Sequence, residues 1–200
     1  FHTRNVPHRA HEYLQLTALA NNQCEGIFIH PVTGPKKTGD FSGGISLKAY
    51  QLLMDQNYPS GAAVLGGFGT YSRYAGPREA VFTALCRQNF GCSHFIVGRD
   101  HTGVGDFYPR DASQRLFDEI GDIGIEPVFF DSVYYCQRCR NHVEDCEHGR
   151  EFSQEISGTQ ALPLAAEPVI RVYFEARSVL EEGSPTRIYG LDSVDGYSGL

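Results

Sequence analysis

The feature that most constrains this chain is an alternation of short apolar runs with amphipathic stretches. Four runs of nearly continuous apolar residues predict β-strands, at residues 24–32, 62–68, 92–98 and 125–133. Segments with a helical pattern accompany them, at residues 11–20, 46–56, 78–88 and 111–121. Strands that are apolar along their length and alternate with helices are typical of a mostly parallel sheet covered on both faces. We therefore expect an α/β fold whose ligands bind at the carboxyl ends of the strands.

Length and composition indicate one globular domain with a small appendage. The chain has 200 residues, of which 41% are hydrophobic and 20% are charged, so it can bury a sizeable core. Its patterning divides it into an N-terminal domain at residues 1–132, a cysteine-rich knuckle at 133–150 and a C-terminal segment at 151–200. The last part contains one predicted helix, at residues 167–183.

Charge and apolar patterning argue against two classes of partner. The net charge of -7 at pH 7 disfavours a nucleic-acid-binding protein, because such proteins present a basic surface to phosphates. No run approaches the roughly 18 apolar residues that a membrane helix needs. Three cysteines stand singly beside apolar residues, which favours free thiols in a reducing compartment: Cys24, Cys86 and Cys92. We expect a cytoplasmic protein.

The first thirteen residues, FHTRNVPHRAHEY, are dense in polar side chains. They predict a strand end, a turn, and a helix that starts near His8, with His8 and His11 on one face of its first turn. Unpaired backbone N–H groups and the positive end of the helix dipole make such a turn a phosphate site. Two surface histidines near a loop are the alternative. Three further polar residues disfavour it: Arg4, Asn5 and Arg9.

Two other loops follow predicted strands. GRDHTGVGDFY, at residues 98–108, sets four candidate nucleotide-binding residues at the carboxyl edge of the sheet: Gly98, Arg99, Asp100 and His101. A glycine-rich turn with solvated charges is the alternative. RYAGPREA contains Arg73 and Arg78, which are either phosphate clamps or helix-capping and ion-pair residues. The apolar stripe of the first helix, Tyr13, Leu16 and Leu19, predicts core.

Cysteines of the knuckle have the spacing of a metal site. Cys136 and Cys139 form a CxxC pair, Cys146 adds a third thiol, and His148 follows two residues later. Three thiolates and one imidazole match the tetrahedral preference of Zn²⁺, and a closed set of four is structural rather than catalytic. Because the spacing of His148 is tight, His142 is a possible substitute. Reduced thiols in a polar loop are the alternative, and a redox CxxC is disfavoured because no helix follows.

Six segments resemble the catalytic domain of the ATP sulfurylase (sulfate adenylyltransferase) family: HTRNVPHRAHE, GPKKTGD, RYAGPREA, FGCSHFIVGRDHTGVGDFY, IGIEPVFFDSVYYC and ISGT. They occur in the family's order over about residues 1–160. The resemblance implies a Rossmann-like fold of the HxxH nucleotidyltransferase class. It also implies a PUA-like domain upstream, and since the chain does not begin with methionine we expect it to be a piece of a longer protein.

The resemblance implies a reaction between ATP and sulfate that forms adenosine 5'-phosphosulfate and pyrophosphate, or the reverse reaction. It assigns His8 and His11 to the phosphates and the transition state, Arg4 to sulfate, and Arg99 to the anionic groups. The remaining implied substrate-binding residues are His2, Thr3, Asn5, Gly98, Asp100 and His101. Mg²⁺ would accompany ATP. Some members carry a structural zinc here, held by Cys136, Cys139, Cys146 and His148, and members commonly form homo-oligomers.

Two departures from the family pattern affect the acceptor. His2 stands where the family has a glutamine that helps to bind sulfate, and QALPLAAEP follows ISGT in place of a helix with an arginine, with Pro163 breaking that helix. An adenylyltransferase for a different small oxyanion is therefore one alternative. A catalytically silent nucleotide-binding regulatory module is another, although the intact pair of His8 and His11 argues against it.

Overall fold

The computed structural model describes residues 1–38, 40–98, 101–102 and 107–154. Its helices and strands follow in chain order: β1 (His2–Thr3), α1 (Arg9–Asn21), β2 (Ile27–Pro31), α2 (Gly43–Asn57), β3 (Ala63–Leu65), α3 (Pro77–Asn89), β4 (His94–Val97), α4 (Ala112–Ile120), β5 (Glu126–Phe129), β6 (Tyr134–Cys136), β7 (Asn141–Val143), a 3₁₀ turn (Arg150–Phe152) and β8 (Ser153–Gln154). All four predicted strands and all four predicted helices of the N-terminal part are confirmed. The predicted helix at 167–183 and the altered segment around Pro163 lie outside the described residues.

The strands of the N-terminal part are parallel. β2 lies between β1 and β3, and β4 pairs with β5. The expected α/β class with mostly parallel sheets is thus confirmed. A third sheet, with the order β7-β6-β8, is antiparallel. The sequence did not indicate these strands, because two- and three-residue strands are too short to carry a periodic pattern.

Strand β4 joins two apolar cores because its neighbouring side chains point to opposite faces. Ile96 packs with residues of α1, α2 and β2, whereas Phe95 and Val97 pack with α3 and α4. Each fully buried side chain of this size contributes about 1.5–3 kcal/mol of transfer free energy. Helices therefore cover both faces of the parallel strands.

Helix α1 turns a different face inward than its apolar stripe predicts. Tyr13, Leu16 and Leu19 are half-buried, whereas the buried residues are Ala10, Glu12, Gln15 and Ala18. The side-chain oxygen of Gln15 accepts from the Tyr58 hydroxyl, and Glu12 accepts from Arg9. The prediction of a Tyr13, Leu16 and Leu19 core stripe is wrong, because none of the three is fully buried. Among the described helices, none combines the length and the apolarity of a bilayer-spanning segment.

Candidate active site and metal centre

The two histidines of the opening motif meet at the start of α1. His8 is the N-cap residue and His11 lies in the first turn. Their rings stack, with centroids 3.7 Å apart and an interplanar angle of 25°. The His8 side chain does not cap the helix, and the first backbone N–H groups of a helix have no partner within the helix itself. The predicted turn between β1 and α1, which brings this pair together, is present.

Burial keeps both imidazoles neutral. It holds the pKa of His8 well below its usual range, and the nearby His11 and His142 rings lower that pKa further. Burial also lowers the pKa of His11 to about 4. A bound polyphosphate would reverse the balance, because a nearby negative charge favours the protonated ring. An anion bound beside the pair would therefore raise the pKa of both rings.

We call the turn from β1 to the start of α1, with His8 and His11, the corner. The knuckle adds one residue to it that was not predicted from the sequence. His142 lies on β7, is buried, and is close enough to His8 to lower its pKa. The pKa of His142 is itself lowered to about 4, by burial and by Arg9. Strand β7 contacts α1, and the Tyr13 hydroxyl donates to Glu144 at 3.3 Å. No local pattern reveals this docking.

Arg4 follows β1 directly and is held from two sides. Its guanidinium donates to the Tyr74 hydroxyl at 2.8 Å and lies 5.2 Å from the centre of that ring. Its backbone carbonyl accepts from the Lys36 ammonium at 2.7 Å. Burial lowers the pKa of Lys36 to about 8, with a further lowering by Arg4. Lys36 thus contacts the backbone of the turn that follows β1, whereas Lys37 is exposed.

Thr3 and Asn5 shape the turn. The Thr3 hydroxyl accepts from the Asn5 backbone N–H at 3.1 Å, a local bond that is typical of turns. Thr3 is buried and Asn5 is half-buried. These two residues fix the path of the backbone from β1 into α1.

His2 and His101 come together beneath helix α3. Their ring centroids are 5.3 Å apart, and His101 Nε2 lies 3.0 Å from the Thr83 hydroxyl. Burial holds the pKa of His2 well below its usual range and lowers that of His101 to about 3. Gly98 directly follows β4. Arg99 and Asp100 lie outside the described residues.

Arg87 was missed by the sequence analysis and is the largest fully buried side chain of this region. It donates to His2 Nδ1 at 2.9 Å and to the His30 carbonyl at 3.0 Å. A signal did exist in the sequence. Ala80, Ala84 and Arg87 share one face of α3 at helical spacing, so an arginine stands where the pattern predicts an apolar residue.

The four predicted metal ligands converge. Ligand atoms of Cys136, Cys139, Cys146 and His148 all lie within 4.8 Å of one another. His148 Nδ1 is 3.6 Å from Cys136 Sγ and 3.3 Å from Cys139 Sγ. Zn–S bonds of about 2.3 Å put the thiolates of a tetrahedral site about 3.8 Å apart, so this set fits a metal ion. The structure favours His148 over the substitute His142.

Backbone geometry prepares one of these thiols. The Cys139 backbone N–H donates to Cys136 Sγ at 3.4 Å, and this bond is the main cause that lowers the pKa of Cys136. The pKa of Cys139 rises to about 11, because its thiol bonds to Cys136. A bound cation would favour the deprotonated form of these thiols, so the cluster could bind a metal ion.

A cavity of about 750 Å³ lies at the other end of the parallel strands. It is lined by residues that precede or begin β2, β3 and β4, among them Gly26, Ala62 and Ser93. Of the described candidate catalytic residues, His8, His11 and Arg4 do not line it. Since ligands of parallel sheets bind at the carboxyl ends of strands, this cavity is not the candidate active site.

Comparisons with known proteins identify the family of the chain. A sequence model of the family described as ATP-sulfurylase matches residues 1–169. The sulfate adenylyltransferase of Staphylothermus marinus is 48% identical over 162 residues, which are 80% of this chain and 42% of that protein. The sulfate adenylyltransferase of Pyrococcus abyssi is 47% identical, with the same coverage. The chain thus spans less than half the length of these curated relatives.

A solved structure supports the fold. It is described as a hexameric APS kinase from Thiobacillus denitrificans and matches with a TM-score of 0.56 at 19% identity. The match covers 81% of this chain and 30% of that chain. At this identity the likeness extends to the fold alone.

Proposed function

We propose, since the chain belongs to the ATP-sulfurylase family, that it carries the catalytic domain of an enzyme that joins ATP and sulfate. The products are adenosine 5'-phosphosulfate and pyrophosphate, and the same site would run the reverse reaction. The observation that carries the proposal is the stacked pair of His8 and His11 at the start of α1, directly after β1. The fold is then of the Rossmann-like HxxH nucleotidyltransferase class.

The chemistry needs no covalent enzyme intermediate. A sulfate oxygen attacks the α-phosphorus of ATP and forms a new P–O bond, which completes an S–O–P linkage. The bond between the α-phosphorus and the oxygen that bridges it to the β-phosphorus breaks. Negative charge moves onto the departing pyrophosphate. His8 and His11 would donate hydrogen bonds to these oxygens, supported by the backbone N–H groups of the helix start. Mg²⁺ would enter as part of the substrate, bound to the ATP phosphates.

Residues in β1 and just after β1 and β4 would bind the acceptor. Arg4 would bind sulfate through guanidinium N–H groups, because within the described residues its guanidinium donates only to the Tyr74 hydroxyl. His2 and His101 would border the same anion, with Thr3 and Asn5 shaping the turn. Gly98, Arg99 and Asp100 would complete the site, and Arg99 would contact the anionic groups.

The presence of His2 favours a second candidate function. An imidazole differs from an amide in reach and in its response to protonation, so the acceptor would be a different small oxyanion. Adenylyl transfer itself would be unchanged in that case, because His8 and His11 are retained.

A structural zinc ion is proposed at Cys136, Cys139, Cys146 and His148. Three thiolates and one imidazole fill its four positions and leave none for substrate. The ion would fix the hairpin of β6 and β7, and through β7 the position of His142 beside α1.

We also propose three residue ranges for the chain: a nucleotidyltransferase domain at 1–132, the knuckle at 133–150 and a C-terminal segment at 151–200. A cytoplasmic location and a homo-oligomer are part of the same proposal.

The first experiment is pyrophosphate release from Mg-ATP, with sulfate, with a panel of other oxyanions and without acceptor. Release that depends on sulfate supports the main proposal, and release only with another oxyanion supports the second. Absence of release with every acceptor contradicts both. His94→Asn is the matched control for variants of His8 and His11, because His94 lies at the opposite end of the strands.

A further inference from the structure

Arg87 is a buried cation whose partners are all neutral. Its side chain is fully buried, its Nε has no hydrogen-bond partner among the described residues, and it lies 4.2 Å from the centre of the Phe68 ring. Two of its hydrogen bonds go to carbonyls, those of Thr83 and His30. Within the described part of the chain it makes no ion pair with a carboxylate. A buried cation without a fixed counter-ion is costly, so its location calls for a function.

The third partner is the ring of His2, and this bond has a direction. A guanidinium has only donors, so the bond of 2.9 Å makes His2 Nδ1 the acceptor. An imidazole whose Nδ1 accepts is neutral, and its proton is on Nε2. Arg87 therefore determines which end of the His2 ring accepts and which end donates.

We propose that Arg87 is a positioning residue that holds His2 as an Nε2–H donor toward the acceptor anion. The identity of that anion as sulfate rests on the proposed function, whereas the tautomer does not. A glutamine at position 2 would also present an acceptor oxygen at one end and an NH2 donor group at the other, so Arg87 would orient it in the same way. Arg87 also supplies the positive charge that a neutral His2 lacks.

The direct test is ¹⁵N NMR of the unsubstituted chain labelled at its histidine nitrogens. His2 is identified as the signal that disappears in His2→Gln. We expect its Nδ1 to be pyridine-like and its Nε2 to be pyrrole-like at pH 7, and the Nε2–H signal to shift when sulfate is added. A His2 ring protonated on Nδ1 would overturn the proposal, and so would a doubly protonated ring.

Kinetics separates positioning from a general structural role. Arg87→Met is expected to raise the KM for sulfate about 10- to 100-fold, because a charged hydrogen bond at the site is lost, and to leave the KM for ATP within about threefold. His2→Gln is expected to lose less sulfate affinity than the apolar His2→Leu. Equal losses for ATP and sulfate, or equal losses in Gln and Leu variants, would contradict the proposal.

The two proposals fail in different ways. If Arg87→Met does not fold, the NMR measurement on the unsubstituted chain still decides the tautomer. If pyrophosphate release never depends on sulfate, the proposed function is wrong, but the NMR measurement still determines the tautomer of His2.

Discussion

Two regions of this chain use histidine for opposite purposes. At the start of α1, the rings of His8 and His11 are stacked, and burial lowers the pKa of both. In the knuckle, His148 joins three thiols, and the four ligand atoms lie within 4.8 Å of one another, so they could hold a metal ion. The difference arises from the neighbours, since one site gathers nitrogen donors and the other gathers sulfur acceptors. Residue type alone therefore does not define the ligand.

The regions also differ in what stabilises them. The corner between β1 and α1 rests on apolar cores that β2, β4 and the helices share. The knuckle has short strands and exposes Cys139, so the proposed zinc ion would be an important part of what stabilises it. His142 and the Tyr13–Glu144 bond connect the two regions.

The largest expected effect breaks the corner alone. His11→Ala should lower sulfate-dependent pyrophosphate release by at least about 100-fold, because it removes a donor to the transition state, while the melting temperature changes little. Activity and calorimetry on one preparation measure both. Retained turnover in His11→Ala, compared with the His94→Asn control, would contradict the role of the pair.

The second effect breaks the knuckle. Cys136→Ser should reduce metal content from one zinc per chain to near zero and lower the melting temperature by about 10 °C, as expected for a loss of about 3 kcal/mol. Elemental analysis and calorimetry test this. Cys86→Ser is the matched control, because Cys86 lies outside the cluster. Equal metal content in both variants would return the cysteines to free thiols.

A third, smaller effect is a dependence of stability on pH at the corner. The pKa of His11 is lowered to about 4 in the folded chain, so between pH 6.5 and 4 the unfolded chain binds more protons. The contribution of His11 to the free energy of unfolding is therefore complete above pH 6.5 and is lost as the pH falls toward 4. From pH 7 to pH 5, His11 alone should reduce the free energy of unfolding by about 2 kcal/mol.

Denaturant titrations at both pH values check this, and His11→Asn should have a shallower dependence on pH. Added pyrophosphate should also make it shallower by raising the pKa of the ring. An unchanged dependence in His11→Asn would place the effect on other groups.

The smallest effect concerns the link between the two regions. The Tyr13–Glu144 hydrogen bond of 3.3 Å should contribute about 0.5–1 kcal/mol. A double-mutant cycle with Tyr13→Phe and Glu144→Gln measures it. A coupling energy of zero would mean that the knuckle docks on α1 through β7 without this bond.

Much of the fold and part of the candidate site are predictable from the sequence because their signals are local. Each strand and helix of the N-terminal part has its own apolar pattern, and the turn before His8 has its own polar signature. The cluster of three cysteines and His148 spans only 13 residues of chain, so spacing alone indicates it. The roles of Arg99 and Asp100 stay predictions.

Local patterns could not indicate contacts made across long stretches of chain. Arg87 and His2 are 85 positions apart, and Tyr13 and Glu144 are 131 apart. The inward face of α1 was mispredicted for the same reason, because the buried Gln15 accepts a hydrogen bond from Tyr58, which is 43 positions away. Such pairs depend on how separate elements pack.

Periodicity and spacing along the sequence are thus enough to predict the α/β class, the pair of His8 and His11 and the candidate metal ligands, because neighbouring residues build these features together. The packing of separate elements places Arg87 and His101 beside His2. It also brings His142, on β7, close to His8. The physical reason is that burial, hydrogen-bond direction and electrostatic neighbours are properties of packed elements, and no short segment contains them.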